Sequence, residues 1–68
     1  MEHRVCYAGE WVCEGHTLNF EIFDDDTVMI REYYTVKGKE VTSHQRVDLD
    51  QAIDYQERYI KLGYDKVS

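Results

Sequence analysis

The chain predicts an α+β fold: an antiparallel β-sheet of four to five strands, an N-terminal hairpin continued as a meander, with one C-terminal α-helix packed on one face. Three observations carry this expectation. Apolar and polar residues alternate with a period of two over much of the first 47 residues. The period changes once, at Asp48, to about 3.6. No proline, repeat or low-complexity stretch divides the 68 residues, so 1–68 reads as a single domain.

Each element has its own signal. Val5 to Tyr7 and Trp11 to Cys13 flank Ala8-Gly9-Glu10, a glycine turn between aromatic and β-branched residues, and predict a first hairpin. Leu18, Phe20 and Ile22 alternate with Asn19 and Glu21 as a half-buried strand. Asp24-Asp25-Asp26-Thr27 reads as a polar turn, because short acidic side chains bond to nearby backbone. Val28, Ile30, Tyr34 and Val36 share the next strand's parity, and Glu32 interrupts that face. Lys37-Gly38 closes a tight hairpin into Val41 to Val47.

From residue 48 to 62 the pattern is helical. Asp48 and Gln51 are spaced for a capping box. Leu49, Ala52, Ile53, Gln56, Tyr59 and Ile60 fall on one arc, with Tyr55 and Leu62 at its edge. Gly63 followed by Tyr64 suits a left-handed C-terminal stop with its hydrophobic contact.

Charge narrows the function classes. The formal net charge of −6 lies wholly in residues 1–30, where seven acids face Arg4 alone; residues 31–68 carry seven acids and seven bases. Such a half repels phosphate and attracts basic surfaces, beside its plain value for solubility. The chain lacks an apolar run of membrane-spanning length and a basic-then-apolar N-terminus, so a cytoplasmic setting and no membrane partner are expected.

His3, Cys6, Cys13 and His16 have a symmetric spacing that raises a metal site as an alternative. With Gly9-Glu10 as a two-residue turn, Cys6 faces Cys13 and His3 faces His16, while parity sends the two pairs to opposite faces. Paired core thiols are therefore favoured, no metal or cofactor is expected, and zinc requires a break at Gly15 or a bulge. Catalysis is not expected either. Acidic surroundings disfavour a thiolate, Ser43 and His44 point to opposite faces, and Asp24 to Asp26 lack the spacing of a calcium loop.

Asn19-Phe20-Glu21-Ile22, Asp25-Asp26-Thr27-Val28, Arg31, Lys37-Gly38-Lys39, Leu49-Asp50-Gln51-Ala52 and Gly63-Tyr64 together give residues 19–67 a layout that resembles the WGR domain of DNA-dependent poly-ADP-ribose polymerases. The resemblance implies a sheet with one packed helix. Where that family carries Trp-Gly-Arg, near Arg31, this chain has Glu32-Tyr33-Tyr34, so the resemblance does not carry DNA binding with it.

The expected function is a small acidic, non-enzymatic protein-binding module or inhibitor, of the kind phages and mobile elements encode. It engages a basic, nucleic-acid-binding surface of a protein partner, as a monomer or homodimer. Glu10, Glu14, Asp24, Asp25 and Asp26 steer the encounter, and Trp11 or Tyr33 anchors it. The alternative is a WGR-like nucleic-acid-binding domain using Arg31, Tyr33, Tyr34, Lys37 and Lys39.

Overall fold

The computed structural model describes residues 5–67. Its elements, in order, are β1 (Gly9–Cys13), β2 (His16–Ile22), β3 (Thr27–Val36), β4 (Lys39–Asp48), α1 (Leu49–Lys61) and β5 (Asp65–Lys66). The strands form one antiparallel sheet in the order β4-β3-β2-β1-β5. The expected α+β architecture is the one observed.

Two tight turns set the registers. Glu14 and Gly15 (φ 46° and 81°) join β1 to β2 and place Cys13 opposite His16. Lys37 and Gly38 (φ 51° and 78°) join β3 to β4 and place Val36 opposite Lys39. Positive φ at both central residues matches the right-handed twist of the flanking strands. Between β2 and β3 the acidic run folds as a three-residue loop: Asp26 N–H donates to Phe23 O (3.2 Å), Asp26 is left-handed at φ 63°, and Phe23 N–H donates to Thr27 O (2.9 Å).

The first hairpin differs from the expectation. Gly9 lies inside β1 and the turn is Glu14-Gly15, so Cys6 does not face Cys13. Residues 5–8 form no strand. The segment docks on the helix instead: Tyr7 N–H donates to Gln56 Oε1 (3.0 Å) and Gln56 Nε2 donates to Tyr7 O (2.8 Å). A buried amide thus replaces a strand partner, which explains a glutamine on the apolar arc of α1. Gly9, at φ 126°, turns the chain from that docked segment into β1.

Helix α1 begins directly after β4. Asp48 Oδ1 accepts from Gln51 N–H (2.8 Å) and Gln51 Oε1 accepts from Asp48 N–H (3.4 Å), the complete capping box. At the other end Gly63 takes φ 102°, Gly63 N–H donates to Ile60 O (3.1 Å) and Tyr64 N–H to Tyr59 O (3.1 Å). This pair of bonds is a Schellman stop, and the Tyr59 and Tyr64 rings, 4.8 Å apart, supply its hydrophobic contact.

The core is Trp11, Leu18, Phe20, Val28 and Ile30 from the sheet against Ala52 and Ile53 from the helix. Ile60 and Leu62 are exposed, so the buried arc is rotated from the expected one toward Tyr55 and Tyr59. No helix among the described residues is long and apolar enough to cross a membrane.

Candidate functional site

Alternation gives every strand two destinations. On the helix side, registers align Trp11 with Leu18 and Glu32, Cys13 with His16, and Phe20 with Ile30. On the other side they align Glu10 with Asn19, Arg31 and His44, Val12 with Thr17, Tyr33 and Thr42, and Glu21 with Met29 and Arg46. No described element packs over this second face.

The helix side holds a polar network within an aromatic cage. Glu32 accepts from Tyr55 Oη at Oε1 and from His16 Nε2 at Oε2 (3.3 Å). His16 Nδ1 is hydrogen-bonded to the Tyr64 hydroxyl, and Tyr59 Oη donates to Tyr55 Oη (3.4 Å). With the imidazole proton on Nε2, Glu32 and His16 both find partners at each polar atom. Tyr34, Tyr59 and Tyr64 stand edge-on around His16, with centroids 5.5–6.0 Å away.

Burial, reinforced by the bond to Glu32, pushes the Tyr55 hydroxyl above the ordinary phenol range; burial also raises Tyr64, whose neighbours Tyr59, Cys13, Glu32 and Glu14 add to it. Both phenols therefore stay protonated at neutral pH and act as donors. The network ties the end of α1 to β2 and β3. Glu32, the residue that breaks the apolar parity of β3, is its hub. Sequence reading left this constellation unassembled, and that misplaced charge is the signal that pointed to it.

The bare face is differently built. Tyr33 is 40% exposed, with Val12, Thr17 and Arg31 half-buried in the neighbouring positions of the face, and Met29, also half-buried, lies further along β3 beyond Arg31. Thr17, Tyr33, Thr35, Glu40 and Thr42 border a shallow depression of about 240 Å³ at the β3–β4 end. Both arginines of this face are committed within the chain. Arg31 reaches Glu21 (2.9 Å). Arg46 donates to Thr27 Oγ1 (2.8 Å) and Asp25 Oδ2 (3.2 Å), and its guanidinium stacks on Phe23 at 4.3 Å. The Asp25 carboxyl is held below its usual range, chiefly by the Thr27 hydroxyl and further by Arg46. Glu10, Glu40 and Asp65 on the same face have no cationic partner among the described residues. The face is therefore acidic with an aromatic centre.

The structure separates the expected partner-binding residues. Tyr33 and Glu10 lie on the bare face. Glu14 sits in the β1–β2 turn, whereas Asp24, Asp25 and Asp26 sit in the β2–β3 turn at the opposite end of the sheet. Trp11 is corrected outright: it is only 8% exposed, its even-numbered neighbours Glu10 and Val12 take the bare face, and it packs in the core. A side chain so placed cannot anchor a partner. Its Nε1 has no hydrogen-bond partner among the described residues.

The cysteine–histidine set is also rearranged. Cys13 and His16 are cross-strand neighbours on the helix side rather than on opposite faces. Cys6 packs against the core from the docked segment, where burial raises its thiol pKa, and His3 lies outside the described residues. Cys6 and Cys13 are free thiols, and no three metal-capable side chains converge among the described residues.

Comparison with protein-family models, with curated proteins and with solved structures finds no match to this chain.

Proposed function

We propose that this chain is a non-enzymatic protein-binding module or inhibitor whose bare sheet face receives a basic surface of a protein partner. The observation that carries this reading is the state of Arg31 and Arg46. Each is neutralised by a carboxylate of its own chain, leaving Tyr33 on a face that also carries Glu10, Glu40 and Asp65, which have no cationic partner among the described residues. An exposed tyrosine is a typical anchor, and the acidic surround steers and selects cationic partners. Glu14 and the Asp24–Asp26 loop flank the face at opposite ends. They extend its negative field without forming part of the contact centre.

The second reading is the WGR-like nucleic-acid-binding domain. Its support is Tyr33 on the strand that leads into the exposed Lys37 and Lys39 of the hairpin tip, since bases stack on aromatics and phosphates seek cations. Against it, Arg31 is already paired and the face is net acidic, so each phosphate approaching it meets repulsion.

The test is a titration followed by amide chemical shifts, using an Arg/Lys-rich amphipathic peptide in one arm and mixed-sequence single-stranded DNA in the other. Saturable shifts at Val12, Thr17, Met29 and Tyr33 with the peptide, lost in Tyr33→Ala, are expected. Binding of DNA alone, weakened by Lys37→Glu and Lys39→Glu, would establish the second reading in its place.

A further inference from the structure

The two edges of the sheet are treated differently. On one side β1 is covered by β5 and by the Val67 N–H, which donates to Glu10 O (2.9 Å). On the other, β4 presents ten residues with no bulge in their register against β3 and no proline. Long regular edges of this kind are templates for another strand.

Which backbone groups point outward follows from the turn. Val36 and Lys39 flank a two-residue hairpin and so exchange both their hydrogen bonds, as do Tyr34 with Val41, Glu32 with Ser43, Ile30 with Gln45 and Val28 with Val47. The amides and carbonyls of Glu40, Thr42, His44 and Arg46 therefore face outward.

We infer that β4 pairs with β4 of a second copy of this chain, antiparallel about a two-fold axis at Ser43, to make one continuous sheet. A two-fold axis normal to the sheet keeps faces matched, so only registers centred on a residue are allowed. Centring on His44 opposes Glu40 to Asp48, two carboxylates. Centring on Ser43 opposes Glu40 to Arg46 twice and Thr42 to His44 twice, using all four outward residues as doubly bonded pairs. Arg46 spends Nε on Thr27 and one terminal nitrogen on Asp25, and its remaining guanidinium donors are free for Glu40 of the second copy.

The same register brings a second charge match. Asp48 falls opposite the second copy's Gly38, so the Lys37-Gly38-Lys39 tip lands beside Asp26, Asp48 and Asp50. These three residues line a groove of about 380 Å³ at the start of α1. The exposed lysines of one chain thus reach the acidic helix start of the other. Both helices lie on one side of the joined sheet and both bare faces on the other; the pairing takes Glu40 into the seam and leaves Tyr33, Glu10 and Asp65 on the open face.

Sedimentation of the full chain from micromolar to millimolar concentration tests it. The mass should rise from 8.1 kDa toward twice that value. Ser43→Cys, which meets its own counterpart in a non-hydrogen-bonded pair with Cα atoms about 4.5 Å apart, should oxidise to a covalent dimer beyond the level wild type reaches with Cys6 and Cys13. Glu40→Lys and Thr42→Pro, the latter at an outward amide, should each weaken dimerisation about tenfold or more with the circular dichroism unchanged. If Thr42→Pro unfolds, Glu40→Lys alone carries that arm. A monomer at every concentration, or a dimer indifferent to Glu40→Lys and uncrosslinked through Ser43→Cys, would overturn the inference.

Discussion

The two faces of this sheet come from the same strands, one residue apart, and do opposite things with the same chemistry. On the helix side a carboxylate, an imidazole and three phenols are half-buried and satisfied by one another. On the bare side carboxylates and guanidiniums cancel where they meet, and Tyr33 stands among those left over. A polar group under the helix is held by partners because leaving it unpaired is expensive; one on the bare face can remain open to solvent and to another molecule. Glu32 and Tyr33, adjacent in the chain, therefore belong to separate systems.

The largest break in that contrast comes from the apolar part of the covered face. Phe20→Ala should remove about 3–5 kcal/mol, comparable to the whole stability of a domain this small, and leave the chain unfolded by circular dichroism at room temperature. Next is the hub. Glu32→Ala leaves His16 and Tyr55 without their acceptor and should lower the denaturant-derived stability by about 1–3 kcal/mol. Glu32→Gln, which keeps an acceptor oxygen, should lose less. A Glu32→Ala protein as stable as wild type would remove the network from the account.

Tyr55 sharpens the comparison through pH. Its pKa in the folded protein is raised, by burial first and the bond to Glu32 second, so the neutral phenol favours the folded state. The unfolded chain releases this proton near pH 10 while the folded one retains it. Stability from this group is therefore complete below about pH 10 and is lost as pH rises above it. Denaturant titrations at alkaline pH should show that decline in wild type and a shallower one in Tyr55→Phe.

Much of the covered face was legible before the structure. The Asp48–Gln51 capping box, the Gly63-Tyr64 stop and the alternation through Leu18 and Phe20 are local signals, each realised where its spacing puts it, whereas Ile22, at the end of β2, is exposed. The first hairpin was not legible, because Gly9-Glu10 and Glu14-Gly15 both offer a glycine turn and parity alone cannot choose between them. The choice is made by a distant amide, Gln56, which takes both backbone groups of Tyr7 and removes residues 5–8 from strand pairing. That choice shifted the register of β1 and with it the placement of Cys6, Cys13, His16 and Trp11. Tyr33 and Met29 share the bare face as their parity requires, since that depends on the single unambiguous strand β3, with Arg31 between them.

The smallest expected stability effect is on the bare face. Tyr33→Ala should change the unfolding free energy by less than about 0.5 kcal/mol, as a substitution outside the core and outside the network. Its effect on recognition should be about tenfold or more in affinity.

Folding and recognition are separated by measuring both quantities on both residues. Unfolding free energy and affinity for the Arg/Lys-rich peptide are determined for Tyr55→Phe and Tyr33→Ala beside wild type. Tyr55→Phe should lose about 1 kcal/mol of stability with unchanged affinity, and Tyr33→Ala should lose affinity with unchanged stability. Affinity falling in Tyr55→Phe while Tyr33→Ala still binds at the wild-type level would contradict this separation, and would place recognition on the helix side of the sheet.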